Sequence, residues 1–184
     1  MTNVRRSLSI VFGVMLIVLS QVASIAASNG VVARATGGGE YQLLGTLPAK
    51  FAFSAVGSPD GSASGQFHHS VVFGGELLEF YGEVTCVSVD PINDRAWIGG
   101  VITRNNSTDP SFLAPRNQVG RDIWFRAVDY GEGLNAPEDD RTTFVGFEGD
   151  AGFITSAAYC AGQPWPEGDA RTWPVTKGNI QVGD

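Results

Sequence analysis

The sequence predicts an all-β protein: an antiparallel β-sandwich of about six to eight short strands, held by one disulfide and preceded by a signal peptide. Apolar and polar residues alternate with a period of two in several segments, and turn-forming residues separate those segments. No sustained helical period of 3.6 residues follows the leader. Short strands at this spacing favour a sandwich over a closed barrel.

The chain begins with a segment, residues 1–28, that has the three parts of a secretory signal peptide. Two arginines form its basic start, residues 8–19 are nearly all apolar, and small residues follow. We expect cleavage near Ala26 to Ser28, and therefore a secreted, extracellular protein. The alternative is an uncleaved leader that anchors the protein in a membrane.

The glycines at 37–39 predict a flexible start over residues 29–49, because consecutive glycines leave the backbone too free for a central strand. We expect a single β-sandwich domain over residues 50–184. Its first strand covers residues 51–56, where phenylalanine and small residues alternate, and its second covers residues 65–73.

Five further strands are predicted, at residues 83–89, 96–103, 123–129, 142–147 and 178–182. Turn residues at 90–94 join the first two of these into a hairpin. Alternation places Trp124 and Arg126 on the strand face opposite Phe125. Residues 151–174, with two Trp-Pro pairs, are expected to be irregular.

The charge balance argues against nucleic acid as a partner. The chain has 12 basic and 19 acidic residues and a formal net charge of −7. Removing the leader takes away Arg5 and Arg6 and no acid, so 10 minus 19 gives a mature charge of −9. A phosphate backbone needs a basic face, and none is visible in the sequence. We also expect no membrane contact after cleavage, because no later segment is apolar enough to span a bilayer.

Two cysteines, Cys86 and Cys160, remain in an oxidising compartment, which favours one disulfide. The closed loop spans 160 minus 86, or 74, positions, for which the chain-entropy model predicts about 4 kcal/mol of stabilisation. Because Cys86 lies within a predicted strand, the bond would pin a late segment of the chain to the sheet. The alternative is a pair of buried free thiols.

Seven short segments, mostly led by glycine, occur in a particular order: Ala35 to Gly39, the phenylalanine strand at 51–56, Asp60 to Phe67, Gly82 to Val89, Ala96 to Gly100, Val128 to Arg141, and Lys177 to Val182. In this order they resemble a family of uncharacterised bacterial secreted β-modules called post-COAP domains. The resemblance covers essentially the whole mature chain and implies a secreted β-fold. It carries over no catalytic residue, and Tyr130 stands where the family's pattern has an asparagine.

The acidic loop at residues 129–140 is a candidate calcium site. Calcium takes six to eight oxygen ligands, and this glycine-containing loop could direct Asp129, Glu132, Asp139 and Asp140 toward one ion. Its spacing is not that of an EF-hand. The alternative is structural: the glycines shape a turn and the acids cap it or pair with arginine, so that the protein holds no cofactor.

The sequence offers little support for catalysis. His68 and His69 are adjacent on a predicted strand, so we expect them to be exposed on opposite faces and unable to share a zinc ion. With both cysteines oxidised and no G-x-S-x-G elbow, we predict that the protein is not an enzyme. A small secreted hydrolase with paired carboxylates is the alternative.

Trp165 and Trp173, each followed by proline, could form an exposed aromatic platform for sugar rings or a protein partner. The alternative is that they cover the disulfide and plug one end of the sandwich. We therefore predict a secreted or cell-surface, non-catalytic structural and interaction module whose partner is an extracellular protein or glycan. A carbohydrate-binding module that uses the Trp-Pro loop is the first alternative.

Overall fold

The computed structural model describes residues 32–132 and 136–183, and the predicted signal peptide lies outside them. The described residues form nine strands, which confirms the all-β, antiparallel prediction. The strands are β1 (Ala33–Leu43), β2 (Leu47–Gly57), β3 (Ala63–Phe73), β4 (Glu76–Asp90), β5 (Arg95–Asn105), β6 (Asp122–Val128), β7 (Arg141–Thr142), β8 (Gly146–Phe147) and β9 (Trp173–Gly183).

The sheet closes into an eight-stranded barrel, so the predicted sandwich is wrong. Strands β1 to β6 pair in chain order, β6 pairs with β7, β7 pairs with β9, and β9 returns to β1. The short β7 and β8 lie one after the other along β6 and share one place in the barrel. Period-two alternation is common to sandwiches and barrels, which is why the sequence did not reveal the closure.

Strand β1 lies in the segment that was predicted to be a flexible start, so that prediction is also wrong. One of its glycines, Gly39, is required because a side chain there would collide with the backbone of β9. An ideal Cβ at Gly39 would lie 1.9 Å from the carbonyl oxygen of Lys177. Glycine at this position therefore permits the pairing that closes the barrel.

Side chains fill the barrel interior, and most of the largest are aromatic. Its buried aromatic residues are Tyr41, Phe51, Phe53, Phe67, Phe80, Phe125 and Phe147. His69 points into this interior and is fully buried, which contradicts the prediction of an exposed histidine. His68 points outward and stacks on Tyr81, with ring centroids 4.3 Å apart. The predicted opposite orientation of the two histidines is thus confirmed.

The disulfide Cys86–Cys160 forms as predicted, with Cα atoms 6.2 Å apart. It joins β4 to the helix α1 (Ser156–Gly162), which lies in a segment predicted to be irregular. Thr155 caps α1 by accepting a hydrogen bond from Ala158 N at 3.1 Å. Seven residues make too few turns for a helical period to be recognised.

Shorter helical turns and a second apolar cluster complete the molecule. Single 3-10 turns occupy Pro110–Phe112, Pro115–Asn117 and Asp150–Gly152. On the outer wall of the barrel, the second cluster contains Trp97, Trp124 and Tyr159. Among the described residues, the structure has no helix with the length and apolar character of a membrane span.

Candidate binding cleft

An open cleft of about 370 Å³ lies on the outer wall of the barrel, beside the broken strand that contains β7 and β8. The aromatic and basic residues that line this cleft are Trp124, Phe144, Tyr159, Trp165, Arg171 and Trp173. Its volume is at the lower end of the range of about 300–1,000 Å³ that is common for ligand sites. We call this feature the tryptophan cleft.

The base of the tryptophan cleft is closely packed. Trp124 is only 2% exposed and stacks on Tyr159 of α1, with ring centroids 5.5 Å apart. An ideal Cβ at Gly146 would lie 2.5 Å from the indole Nε1 of Trp124. A side chain at position 146 would therefore collide with this indole, which explains why glycine stands there.

The structure brings Trp165 and Trp173 to the same cleft. Both are partly exposed, and Trp173 also packs against the main hydrophobic core. Part of the Trp173 surface thus contributes to the hydrophobic core. The remaining surface of Trp173 is open to the cleft, whereas the ring of Trp165 also lies against the guanidinium of Arg171.

The segment that carries these tryptophans, residues 163–172, is held against the barrel by buried donors. The guanidinium of Arg126, which is fully buried, donates to the carbonyl oxygens of Trp165 and Ala170, the second at 2.7 Å. Trp97 Nε1 donates to the carbonyl oxygen of Pro164 at 2.9 Å. The loop is therefore preorganised by strands β5 and β6.

Asp169 supplies a second attachment of the same loop. Its carboxylate lies 3.6 Å from Arg95 and 3.5 Å from Arg141, and it accepts a hydrogen bond from the hydroxyl of Tyr130 at 2.7 Å. This role of the arginines was not predicted from the sequence. The available signal was Arg126, a charged residue within the apolar run of residues 123–128, which indicates a buried polar partner.

Arg171 differs from the arginines that hold the loop. It is exposed, and its Cζ lies 4.9 Å from the centroid of the Trp165 ring. No carboxylate of the described residues lies within 4.0 Å of its guanidinium. Asp150, which also lines the cleft, is already engaged by Phe147 N at 2.9 Å and Arg116 at 3.2 Å. The cleft therefore presents one uncompensated positive charge.

The candidate calcium ligands lie at the seam between β6 and β9. Asp129 accepts hydrogen bonds from Gly131 N at 2.7 Å and Val182 N at 2.9 Å. Asp140 accepts from Tyr130 N at 2.9 Å and Ile180 N at 2.7 Å. Because β7 has only two residues, these carboxylates take the place of a longer strand partner for β9.

The other two acids of this loop do not converge with them on one point. Glu132 accepts hydrogen bonds from the side chains of Asn179 and Gln181 at 3.0 and 2.6 Å, and Asp139 is exposed. Burial, followed by the charges of Asp129 and Glu132, raises the pKa of Asp140. Residues 133–135 of the loop lie outside the described part of the chain. Within that part, no group of three metal-ligating side chains forms, and the calcium site stays a prediction.

Comparison with known proteins found no family model, curated protein or solved structure that matches this chain. The resemblance to post-COAP domains therefore stays a prediction. The geometry of the cleft and the chemistry of the residues that line it are therefore the evidence for a function.

Proposed function

We propose that this protein is a secreted, non-catalytic interaction module that binds a glycan in the tryptophan cleft. The observation that carries the proposal is the convergence of Trp165 and Trp173 on one cleft whose base is a third indole, Trp124. Aromatic faces bind the C–H faces of sugar rings, and the indole N–H adds a hydrogen-bond donor. Rigid support of the loop lowers the entropy that binding must overcome.

The size of the cleft favours a glycan over a protein partner. A stable protein interface buries about 800 Å² on each partner, usually over a broad surface. A cleft of about 370 Å³ instead has room for one or two sugar rings. An extracellular protein could still reach the cleft through a glycan that it carries, so both predicted partner classes meet in this proposal.

The carboxylates favour a binding role over the hydrolase alternative. Glycosidases of the usual kind need two carboxyl groups on either side of the scissile bond, about 5–10 Å apart. Asp150 is the one carboxylate among the described residues that line the tryptophan cleft, and Arg116 and the backbone already engage it. Hydrolysis of a bound glycan is the result that would favour the alternative.

Export from the cell is part of the proposal. It is supported by the predicted leader and by a disulfide, a bond that persists in oxidising compartments. We expect the N-terminus of the protein recovered from culture medium to start between Ala27 and Asn29, as read by mass spectrometry. Recovery of the full-length chain in the membrane fraction would support an uncleaved anchor instead.

Binding is tested on a glycan array with the purified mature protein and the variants Trp165→Ala and Trp173→Ala. We expect each variant to bind the recognised glycans about 10-fold more weakly, because an aromatic stacking surface is lost. Phe73→Ala is the matched control, since Phe73 is 50% exposed and does not line the cleft. Circular dichroism checks that all variants are folded. Failure to bind any glycan, or unchanged binding by both tryptophan variants, contradicts the proposal.

A further inference from the structure

We propose that the tryptophan cleft selects acidic glycans, and that Arg171 binds the carboxylate of a uronic acid while Trp173 carries the sugar ring. This inference rests on the proposed function, because it names the chemical class of the ligand of the same site. It follows from the charges that line the cleft and from the position of the Arg171 guanidinium.

Arg171 and the neighbouring arginines have different binding partners. Arg95, Arg126 and Arg141 are committed to the carbonyl groups and the carboxylate of the loop at 163–172. Arg116 pairs with Asp150 at 3.2 Å. Arg171 has no carboxylate partner among the described residues, so its guanidinium keeps its donors for a ligand.

The electrostatic environment of the cleft also favours an anionic ligand. The protein is acidic overall, with a net charge of −7, which would repel an anion at long range. Charges beyond the Debye length of about 8 Å are largely screened at physiological ionic strength. Within the cleft, Arg116 compensates the charge of Asp150, so Arg171 makes the local electrostatic potential positive.

The relative positions of Arg171 and the two tryptophans support the same class of ligand. The Arg171 guanidinium lies over the Trp165 ring, 4.9 Å from its centroid, and this cation–π contact limits the positions of the guanidinium. Trp165 thereby orients the cation, and the partly exposed indole of Trp173 is free to stack on a pyranose ring. The carboxyl group of a uronic acid extends from the edge of that ring, where a guanidinium binds carboxylates in a bidentate manner.

The experiment compares uronic-acid oligosaccharides with their carboxyl-reduced counterparts, which keep the rings and lose the charge. Binding is measured by isothermal titration calorimetry at 50 and 300 mM NaCl. We expect the acidic oligosaccharides to bind at least about 10-fold more tightly at low salt, because only their carboxylate can form a bidentate ion pair with the guanidinium. We also expect this preference to shrink at high salt.

Two arginine variants separate recognition from stability. Arg171→Gln should lower the affinity for the acidic oligosaccharides about 10-fold and leave the affinity for the reduced ones unchanged, whereas Arg171→Lys should lose less. Arg104→Gln is the matched control, because Arg104 is also exposed and lies over an aromatic ring, 3.6 Å from the Tyr81 centroid. We expect this control to bind like the unchanged protein.

The outcomes distinguish this inference from the proposed function. Equal binding of acidic and reduced oligosaccharides, or an equal loss of both in Arg171→Gln, overturns the assignment of Arg171. In that case Trp173→Ala would still weaken the binding of both oligosaccharide classes about 10-fold, and the proposed function would stand. If neither oligosaccharide class binds and the glycan array also shows no binding, both proposals are overturned.

Discussion

His69 lies in the barrel interior with its imidazole among aromatic rings. Its ring centroid is 4.6 Å from that of Phe125 and 6.2 Å from that of Phe51, and neither ring nitrogen has a hydrogen-bond partner in the described structure. Burial, with a smaller contribution from His68, lowers the pKa of His69 to about 3. The native protein therefore holds this imidazole in its neutral form throughout the physiological range.

Because His69 is buried, we expect acid to destabilise the protein already at pH values well above the pKa of most carboxylates. Between pH 6.5 and the native pKa, the unfolded chain binds a proton at His69 and the native chain does not. The free energy of unfolding should therefore fall by about 1.4 kcal/mol for each pH unit below 6.5 from this residue alone. Urea unfolding of the unchanged protein and of His69→Leu at pH 7.5 and 4.5 measures the effect. An equal loss in both proteins would contradict it.

Asp140 and Asp139 are adjacent acids with opposite roles. The Asp140 carboxylate accepts one backbone N–H on each oxygen, whereas Asp139 is exposed. Asp140→Asn replaces one acceptor by a donor, so we expect it to lower the free energy of unfolding by about 1–3 kcal/mol. Asp139→Asn should change it by less than about 0.5 kcal/mol. Equal effects in urea unfolding would show that Asp140 does not support the seam.

Strand β1 depends on the absence of a side chain at Gly39. A Cβ at Gly39 would meet a carbonyl oxygen at 1.9 Å, whereas a Cβ at Gly38 would meet its nearest atom at an ordinary 3.6 Å. We expect Gly39→Ala to cost more than about 3 kcal/mol of stability and Gly38→Ala less than about 1 kcal/mol. Thermal unfolding of the two variants tests this. Similar melting temperatures would mean that β1 and β9 are farther apart.

The acidic loop between β6 and β7 predicts the response to calcium. Asp129, Glu132 and Asp140 already accept hydrogen bonds from β9, so their oxygens are engaged without a metal. We expect the melting temperature in a chelator to agree within about 1 °C with that in millimolar calcium, because a bound ligand would raise it. A calcium-dependent rise would instead support the predicted calcium site.

At the scale of the whole molecule, the disulfide joins the meander of the first half to the helix and loop that build the tryptophan cleft. It closes 74 positions of the chain. We expect the double variant Cys86→Ala, Cys160→Ala to lose about 4 kcal/mol of stability, mainly because the unfolded chain becomes less constrained. Dithiothreitol should destabilise the unchanged protein similarly and leave the double variant unaffected. No response of the unchanged protein in urea unfolding would contradict this.

Closure of the barrel also determines where the functional surfaces lie. The interior is filled by aromatic side chains, so the described cleft with the strongest ligand chemistry lies on the outer wall. It is built where β7 and β8 interrupt the barrel and where the segment at 163–172 is attached by Arg126. An exposed loop on a rigid barrel is a common place for binding residues.

The local features of this protein followed from the sequence because they depend on neighbouring residues. The strand alternation that sets Trp124 and Arg126 opposite Phe125, the turn at 90–94 and the bond between Cys86 and Cys160 were all predicted. Side-chain direction alternates along any strand, and two cysteines in an oxidising compartment leave one pairing.

The tertiary structure alone decided the features that join distant parts of the chain. It closed the sheet into a barrel through β9, buried His69, and brought Trp165, Trp173 and Arg171 together over Trp124. These outcomes depend on which strand edges pair and on which side chains meet after pairing. Alternation fixes which residues share a face of a strand. It does not fix which strand edges pair, because the same pattern satisfies both a sandwich and a barrel.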